Sequence, residues 1–165
     1  MLRLLPWAAL LLTPATYTSW SDYGGAADSM QYSALKQIDK SNVHRLELAW
    51  SYLVPGTSSR FGASPLIASG IIYLRGTDNS LVALEAGSGK KIWSHPVEGN
   101  PTDRGLNYWE NKNHSDRRLI FAANSYLQEI NANTGVTINT FGNDGRVDLR
   151  KGLGRDPKTI RITTE

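Results

Sequence analysis

The chain repeats itself at a fixed interval, and that interval limits the possible folds more than any other feature of the sequence. LVALEAGSGK at 81–90 aligns without gaps to LQEINANTGV at 127–136, a displacement of 46 residues. The likeness extends beyond this core. Residues 71–93, IIYLRGTDNSLVALEAGSGKKIW, read as an apolar strand, a polar turn, a second strand through Leu81-Val82-Ala83-Leu84, a glycine-containing turn and a third short strand ending at Trp93. Residues 119–138, LIFAANSYLQEINANTGVTI, follow the same plan with the first strand and turn about two residues shorter. A partial copy lies upstream, where Trp50 in LELAWSY precedes Trp93 by 43 residues.

Short strands joined by tight turns and repeating in the forties are the signature of a β-propeller, each repeat forming one antiparallel four-stranded blade. We therefore expect an all-β fold of propeller blades. The AGSG and ANTG turns put glycine where the chain needs a positive φ, and the strand after the turn brings a large residue, Trp93 in the first copy, to pack on the neighbouring blade. Asn139 takes that place in the second copy, which predicts a looser contact there. An ordinary sandwich with chance internal similarity is the competing architecture. Leu35, Ile38 and Val43 stand at loose helical spacing in YSALKQIDKSNVHRL at 32–46, a length that predicts turns with one helical turn clamped on the surface before the first strand. A ring closes with about four to eight blades, so two and a half copies predict an incomplete ring.

The formal charge is +3, yet the basic residues are scattered and form no stripe interleaved with stacking aromatics, which argues against nucleic acid as a partner. Without cysteine there is neither a disulfide framework nor a thiolate metal site. His44, His95 and His114 lack metal-ligand spacing and read as surface or satisfied core residues. Asp144 and Asp148 in FGNDGRVDLR read as turn residues rather than an ion site. The N-terminus, MLRLLPWAALLLTPATYTSW, has Arg3, an apolar run from Leu4 to Leu12 too short to span a bilayer, and small residues after it. This is the layout of a secretory signal over residues 1–19 and predicts a periplasmic or secreted protein. A buried N-terminal strand or helix is the alternative, since Pro6 interrupts the apolar run.

Several segments, taken in order, resemble the quinoprotein alcohol and glucose dehydrogenases, eight-bladed propellers that use pyrroloquinoline quinone. WSDYGGAADSMQYSALKQIDKSNVHRLELAWSY at 20–52 is similar to the family's opening segment, ALEAGSGKKIW at 83–93 to its tryptophan-docking repeat, and FGNDGRVDLRKGLG at 141–154 to the segment after the second repeat. DRGLNYWE at 103–110 resembles the Arg-Gly-x-x-x-Trp motif whose arginine reaches the quinone. The resemblance implies that residues 20–165 form the N-terminal two to three blades and that Arg104, Gly105 and Thr163 contact the cofactor. An arginine fork suits carboxylates and a carbonyl oxygen that gains charge on reduction, and glycine lets backbone approach a flat ring. Tyr108 and Trp109 are expected to pack the blade.

The same resemblance implies calcium, with its ligands and the catalytic aspartate beyond residue 165, an alcohol or sugar hydroxyl as substrate, and a cytochrome c or ubiquinone as electron acceptor. By itself the segment is expected to be inactive. There are departures as well. Gly62 stands where many members have a quinone-contacting glutamate, and Gly99-Asn100-Pro101-Thr102 replaces the region of a vicinal cysteine pair, a difference that leans toward the sugar or polyol branch. A non-catalytic propeller serving as an envelope scaffold is the alternative reading. It shares the blade turn but has no reason to keep the Arg-Gly motif.

Overall fold

A computed structural model describes residues 17–54, 64–102 and 105–160. Its regular structure is two antiparallel four-stranded sheets, each a meander of consecutive strands. The first joins β1 (Leu66–Ala68), β2 (Ile71–Arg75), β3 (Ser80–Glu85) and β4 (Lys91–Pro96); the second joins β5 (Asn107–Glu110), β6 (Arg117–Ala123), β7 (Tyr126–Asn131) and β8 (Arg146–Asp148). These are two propeller blades. β3 and β7 begin at Ser80 and Tyr126, reproducing the 46-residue displacement, and the two-residue connection before β7 accounts for the shortening of the second copy. The innermost strands β1 and β5 are additions that the repeat alone did not mark.

The repeat breaks down at the outer strand of the second blade. Thr137 bridges Ile130 just as Lys91 pairs with Leu84, so the first ladder position is kept. Where blade 1 continues through Trp93, blade 2 turns away, and pairing resumes only at β8, with Arg146 opposite Gln128. The expected third strand at 136–138 is thus reduced to one bridge. Residues 139–145 form an excursion favoured by Asn, Gly and Asp, with Gly142, Asp144 and Gly145 all at positive φ. Asn139 lies in that turn, with no strand to present it to a neighbour.

One hydrophobic cluster joins the blades. Leu66, Tyr73, Ala83 and Trp93 of blade 1 meet Leu119, Phe121, Ile130 and Ala132 of blade 2. The Trp93 indole N–H donates to the Ala132 carbonyl at 3.0 Å. Its ring also lies against Gly135, where a Cβ would come within 2.8 Å of it. Trp50 repeats this on blade 1, with its indole N–H on the Ala86 carbonyl at 3.0 Å and its ring against Gly89. Each turn glycine therefore has two reasons to be glycine, a positive φ and a tryptophan in the place of its side chain.

Both faces of blade 1 are covered. Leu81 and Ala83 face the seam, while Val82 and Leu84 on the other side of β3 meet Trp50, Tyr52 and Val54, so β3 reads as an apolar run instead of an alternation. The far face of blade 2 is mixed by contrast, with Ile120 and Leu127 beside charged groups. Glu129, which occupies the position of Ala83, is buried and accepts from Arg118 at 2.8 Å, and Arg118 also pairs with Asp116 and lies over the Trp109 ring.

Among the described residues before the sheets, the only helical element is the 3-10 turn Val43–Arg45. Its expected clamping role is filled by other residues. Leu35, Ile38 and Val43 are exposed, whereas Trp20 exchanges backbone hydrogen bonds with Ile67 on the free edge of β1. That pairing covers an edge that would otherwise expose unpaired backbone groups.

Two outcomes follow from the seam. Trp93→Ala should destabilise the chain by about 3–5 kcal/mol, and Trp93→Phe, which keeps most of the apolar contact but strands the Ala132 carbonyl, by about 1–2 kcal/mol, both read by urea unfolding. The second outcome concerns His95, whose ring on β4 stands half-buried against Phe121. Burial lowers its pKa below the ordinary 6.5, with a hydrogen bond to the Gly135 backbone acting in the opposite direction. The unfolded chain therefore takes up the proton first as pH falls, and stability should decline with pH from about 6.5 down to the folded-state value. Melting temperatures measured across that interval should fall in the parent and fall less in His95→Gln.

Candidate functional site

Alternating strand directions divide the two-blade unit into two ends. The AGSG and ANTG turns with their docked tryptophans share one end with Ser69 and Glu110. The other end carries the starts of β1 and β5, the β2–β3 and β6–β7 turns, and the described residues of the connection between the blades, 97–102 and 105–106. That connection holds the Arg-Gly motif.

The inner strand of blade 2 pairs with β6 in two separate stretches. Asn107 to Glu110 run against Ile120 to Arg117, and Pro101 bridges Ala123 while the Thr102 N–H donates to the Ala122 carbonyl at 3.1 Å. Between these stretches β6 advances by the single residue Phe121, whereas the sequence advances by four positions, 103–106. An insertion of this kind breaks a ladder and re-aims side chains, a device common beside functional sites. Gly105 is half-buried at its downstream edge, and Leu106 packs against the seam cluster. Arg104 lies outside the described residues, as do Thr163 and the glutamate-replacing Gly62.

Thr102 carries the clearest sign that this end is built for something further. Its hydroxyl oxygen is buried and has no hydrogen-bond partner among the described residues, two positions before Arg104. A buried polar atom without a partner costs roughly 1–3 kcal/mol, and in a native structure it calls for an explanation such as a ligand or a bound water. An available donor and acceptor fits a ligand rich in oxygen. Sequence reasoning did not nominate Thr102, because a lone threonine in a loop carries no pattern.

The aromatic pair of the motif divides between two roles. Tyr108 enters the seam, stacked on Tyr73 at 6.0 Å between ring centroids, as expected of a packing residue. Trp109 points to the opposite face of β5, is 45% exposed and lies under Arg118, so it packs against a cation and not in the core. Tyr73 is enclosed between Trp93 and Tyr108, and burial pushes its hydroxyl well above the usual tyrosine range.

The end that carries the docking turns is held by ionic contacts. Glu110 accepts from Tyr108 at 2.8 Å, pairs with His114 at 2.8 Å, and stands 3.3 Å from Arg117. Burial works against its charge, but these donors outweigh it and hold the carboxyl below its usual range. His114 is thereby placed at the surface, and His44 lies in the exposed 3-10 turn. Asp148 closes β8 against Arg150, whose hydrogen bonds lower its pKa to about 2, and Asp144 sits in the turn before it. Among the described residues, no three His, Asp or Glu side chains stand close enough to hold a metal ion.

Two antiparallel blades stitched by a tryptophan on a glycine turn, with an irregular connection at one end of the seam, define a repeat chain of the β-propeller class. Comparison with known proteins specifies which propeller. Residues 20–165 match the family described as PQQ, glucose/ethanol/alcohol dehydrogenase, beta-propeller domain, and the chain belongs to that family. It is 39% identical over 88 residues to the dehydrogenase subunit of a quinone alcohol dehydrogenase from Gluconobacter oxydans (strain 621H), covering 52% of this chain and 12% of that protein. To the quinoprotein glucose dehydrogenase of Escherichia coli (strain K12) it is 29% identical over 167 residues, covering 86% of this chain and 21% of that one. The fold superposes on the quinohemoprotein alcohol dehydrogenase ADHIIG from Pseudomonas putida HK5 with a TM-score of 0.68 at 26% identity, over 89% of this chain and 21% of that structure. The chain thus spans no more than 21% of the length of any of these three proteins.

Thr102→Val tests the isolated hydroxyl. Removing an unpartnered buried oxygen should leave the melting temperature of the ligand-free chain unchanged or raise it, by the equivalent of about 1 kcal/mol. A fall of that size would mean that the hydroxyl already has a partner in solution.

Proposed function

We propose that this chain is part of a pyrroloquinoline quinone-dependent dehydrogenase that oxidises an alcohol or sugar hydroxyl, with Arg104, Gly105 and Thr163 contacting the cofactor. The observation that carries the reading is the place where the family's Arg-Gly motif falls. Thr102 and Gly105, the described neighbours of Arg104, stand where the inner strand of blade 2 leaves its ladder, and the Thr102 hydroxyl is buried without a partner among the described residues. When bound, the quinone supplies the redox chemistry by accepting the two electrons of the oxidation, and the protein supplies binding, orientation and field.

Each role follows from the chemistry of the residue. The Arg104 guanidinium, charged at every working pH, holds carboxylates in a bidentate fork and favours negative charge on a nearby carbonyl oxygen. Gly105 admits close backbone approach. The Thr102 hydroxyl can donate to or accept from a cofactor oxygen. Seam residues Trp93, Tyr73 and Tyr108 fix the two blades relative to each other, and so fix the base from which the connection departs.

Further parts of the proposal rest on family membership and on the N-terminal sequence. Calcium serves as the second cofactor, held by ligands outside the described residues, as is the aspartate that takes the substrate proton. Electrons pass to a cytochrome c or to ubiquinone. Residues 1–19 serve as an export signal and residues 20–165 as the N-terminal part of the propeller, which works in the periplasm or outside the cell. The pattern of Arg3, apolar run and small residues supports this export. The substitution of the cysteine-pair region by Gly99-Asn100-Pro101-Thr102 favours a sugar or polyol over a simple alcohol.

Calorimetric titration of pyrroloquinoline quinone with calcium into the purified chain checks the cofactor assignment. Binding should be detectable in the parent and weaker by about ten- to hundredfold in Arg104→Ala, the cost of losing charge-assisted hydrogen bonds. Equal affinity in both would remove Arg104 from the site, and no binding by the parent would remove the quinone.

A further inference from the structure

The connection that carries the Arg-Gly motif is gripped from both blades by polar side chains. From blade 1, Arg75 Nη2 donates to Asn100 Oδ1 at 2.8 Å. From blade 2, Asn124 at the tip of the β6–β7 hairpin exchanges two hydrogen bonds with Asn100. The Asn100 N–H donates to Asn124 Oδ1 at 3.1 Å, and the Asn124 N–H donates to the Asn100 carbonyl at 3.1 Å. The fit is close. Gly99 has φ +105°, and a Cβ there would stand 2.4 Å from Asn124 Nδ2. Asn124 has φ +52°, a left-handed conformation that Asn tolerates better than most residues with a side chain.

We infer that Asn124 is a positioning residue for the quinone-contacting segment, acting through Asn100, and the inference rests on the proposed cofactor role of Arg104. Its carboxamide fixes the backbone of Asn100, and Pro101 and Thr102 follow directly onto the end of β6. Thr102 is the last described residue before the motif arginine. The hairpin of blade 2 thereby holds the residues just before the motif on the ladder that Pro101 and Thr102 continue along β6, while Arg75 adds a contact from blade 1. The backbone half of the exchange needs no particular side chain, so what is specific to Asn124 is the Oδ1 acceptor and the contact with Gly99.

Two variants at this position separate the acceptor from the backbone conformation. Asn124→Gly keeps the left-handed turn and loses the acceptor; Asn124→Asp keeps both. In the full 165-residue chain, timed trypsin cleavage read by mass spectrometry compares the bond after Arg104 with the bond after Arg155. The Gly variant should accelerate the former about fivefold relative to the latter, the effect expected for losing one ordinary hydrogen bond in a local opening reaction, and the Asp variant should match the parent. Titration with pyrroloquinoline quinone and calcium should follow the same order, weaker in Asn124→Gly and restored in Asn124→Asp. The inference fails if the Gly variant cleaves like the parent, if it speeds both bonds alike, if Asp fails to restore, or if quinone affinity ignores Asn124 while responding to Arg104→Ala. Should Arg104→Ala leave quinone binding unchanged while the cleavage pattern appears as expected, it is the cofactor reading that falls, and Asn124 is left as a clamp on the connection alone.

Discussion

The seam between the blades depends on an indole ring placed where a side chain would otherwise be. Trp93 takes the space above Gly135 and gives its N–H to the Ala132 carbonyl, so one residue buries a large apolar surface and also satisfies a turn carbonyl. A Cβ on Gly135 would press into the ring. A missing indole would strand the carbonyl. Because Trp50 makes the same pair of contacts on Gly89 and Ala86, the docking is a rule of the architecture. It converts a 46-residue sequence repeat into stacked sheets, since each blade cannot bury its own faces and relies on a neighbour to do so.

The departure in the second blade shows how local the rule is. The first position after the ANTG turn still pairs, at Thr137, but the outer strand is then interrupted for seven residues rich in turn formers before β8 resumes it. Asn139 is removed from the position of a docking tryptophan by that interruption as much as by its own identity. The far face of blade 2 shows a related change. Glu129, Arg118 and Asp116 set ion pairs among the apolar residues of that face, whereas blade 1 is covered by apolar contacts, so the two blades share a backbone plan but differ in their outward faces.

The two ends of the seam divide the work between them. At the docking end, apolar rings hold the blades together, and Glu110 ties Tyr108, His114 and Arg117 to one another within blade 2. At the other end the ladder of the inner strand is broken, polar side chains hold the connection, and a buried hydroxyl lacks a partner. A rigid docked end permits an irregular one. Thr102 and Gly105, the described neighbours of Arg104, lie on that irregular end.

The sequence by itself determined the blade. Its repeat length, its turn glycines and the strand cores Leu81–Leu84 and Leu127–Ile130 are local patterns, and local patterns carry over to structure because strand period and turn chemistry are properties of consecutive residues. It also marked Trp93 as the docking residue and Tyr108 as a packing residue. What it left unmarked depends on neighbours distant in the chain. The inner strands β1 and β5 are only three and four residues long and gain their identity from pairing with β2 and β6. Trp109 turns outward because β5 alternates about Tyr108, and the Arg118 that lies over its ring comes from the adjacent strand. The Asn100–Asn124 exchange joins residues 24 apart at the tip of the β6–β7 hairpin. Neither it nor the isolated hydroxyl of Thr102 has a sequence signature, because each arises from the pairing of residues 100–102 with a strand distant in the chain and not from a local pattern.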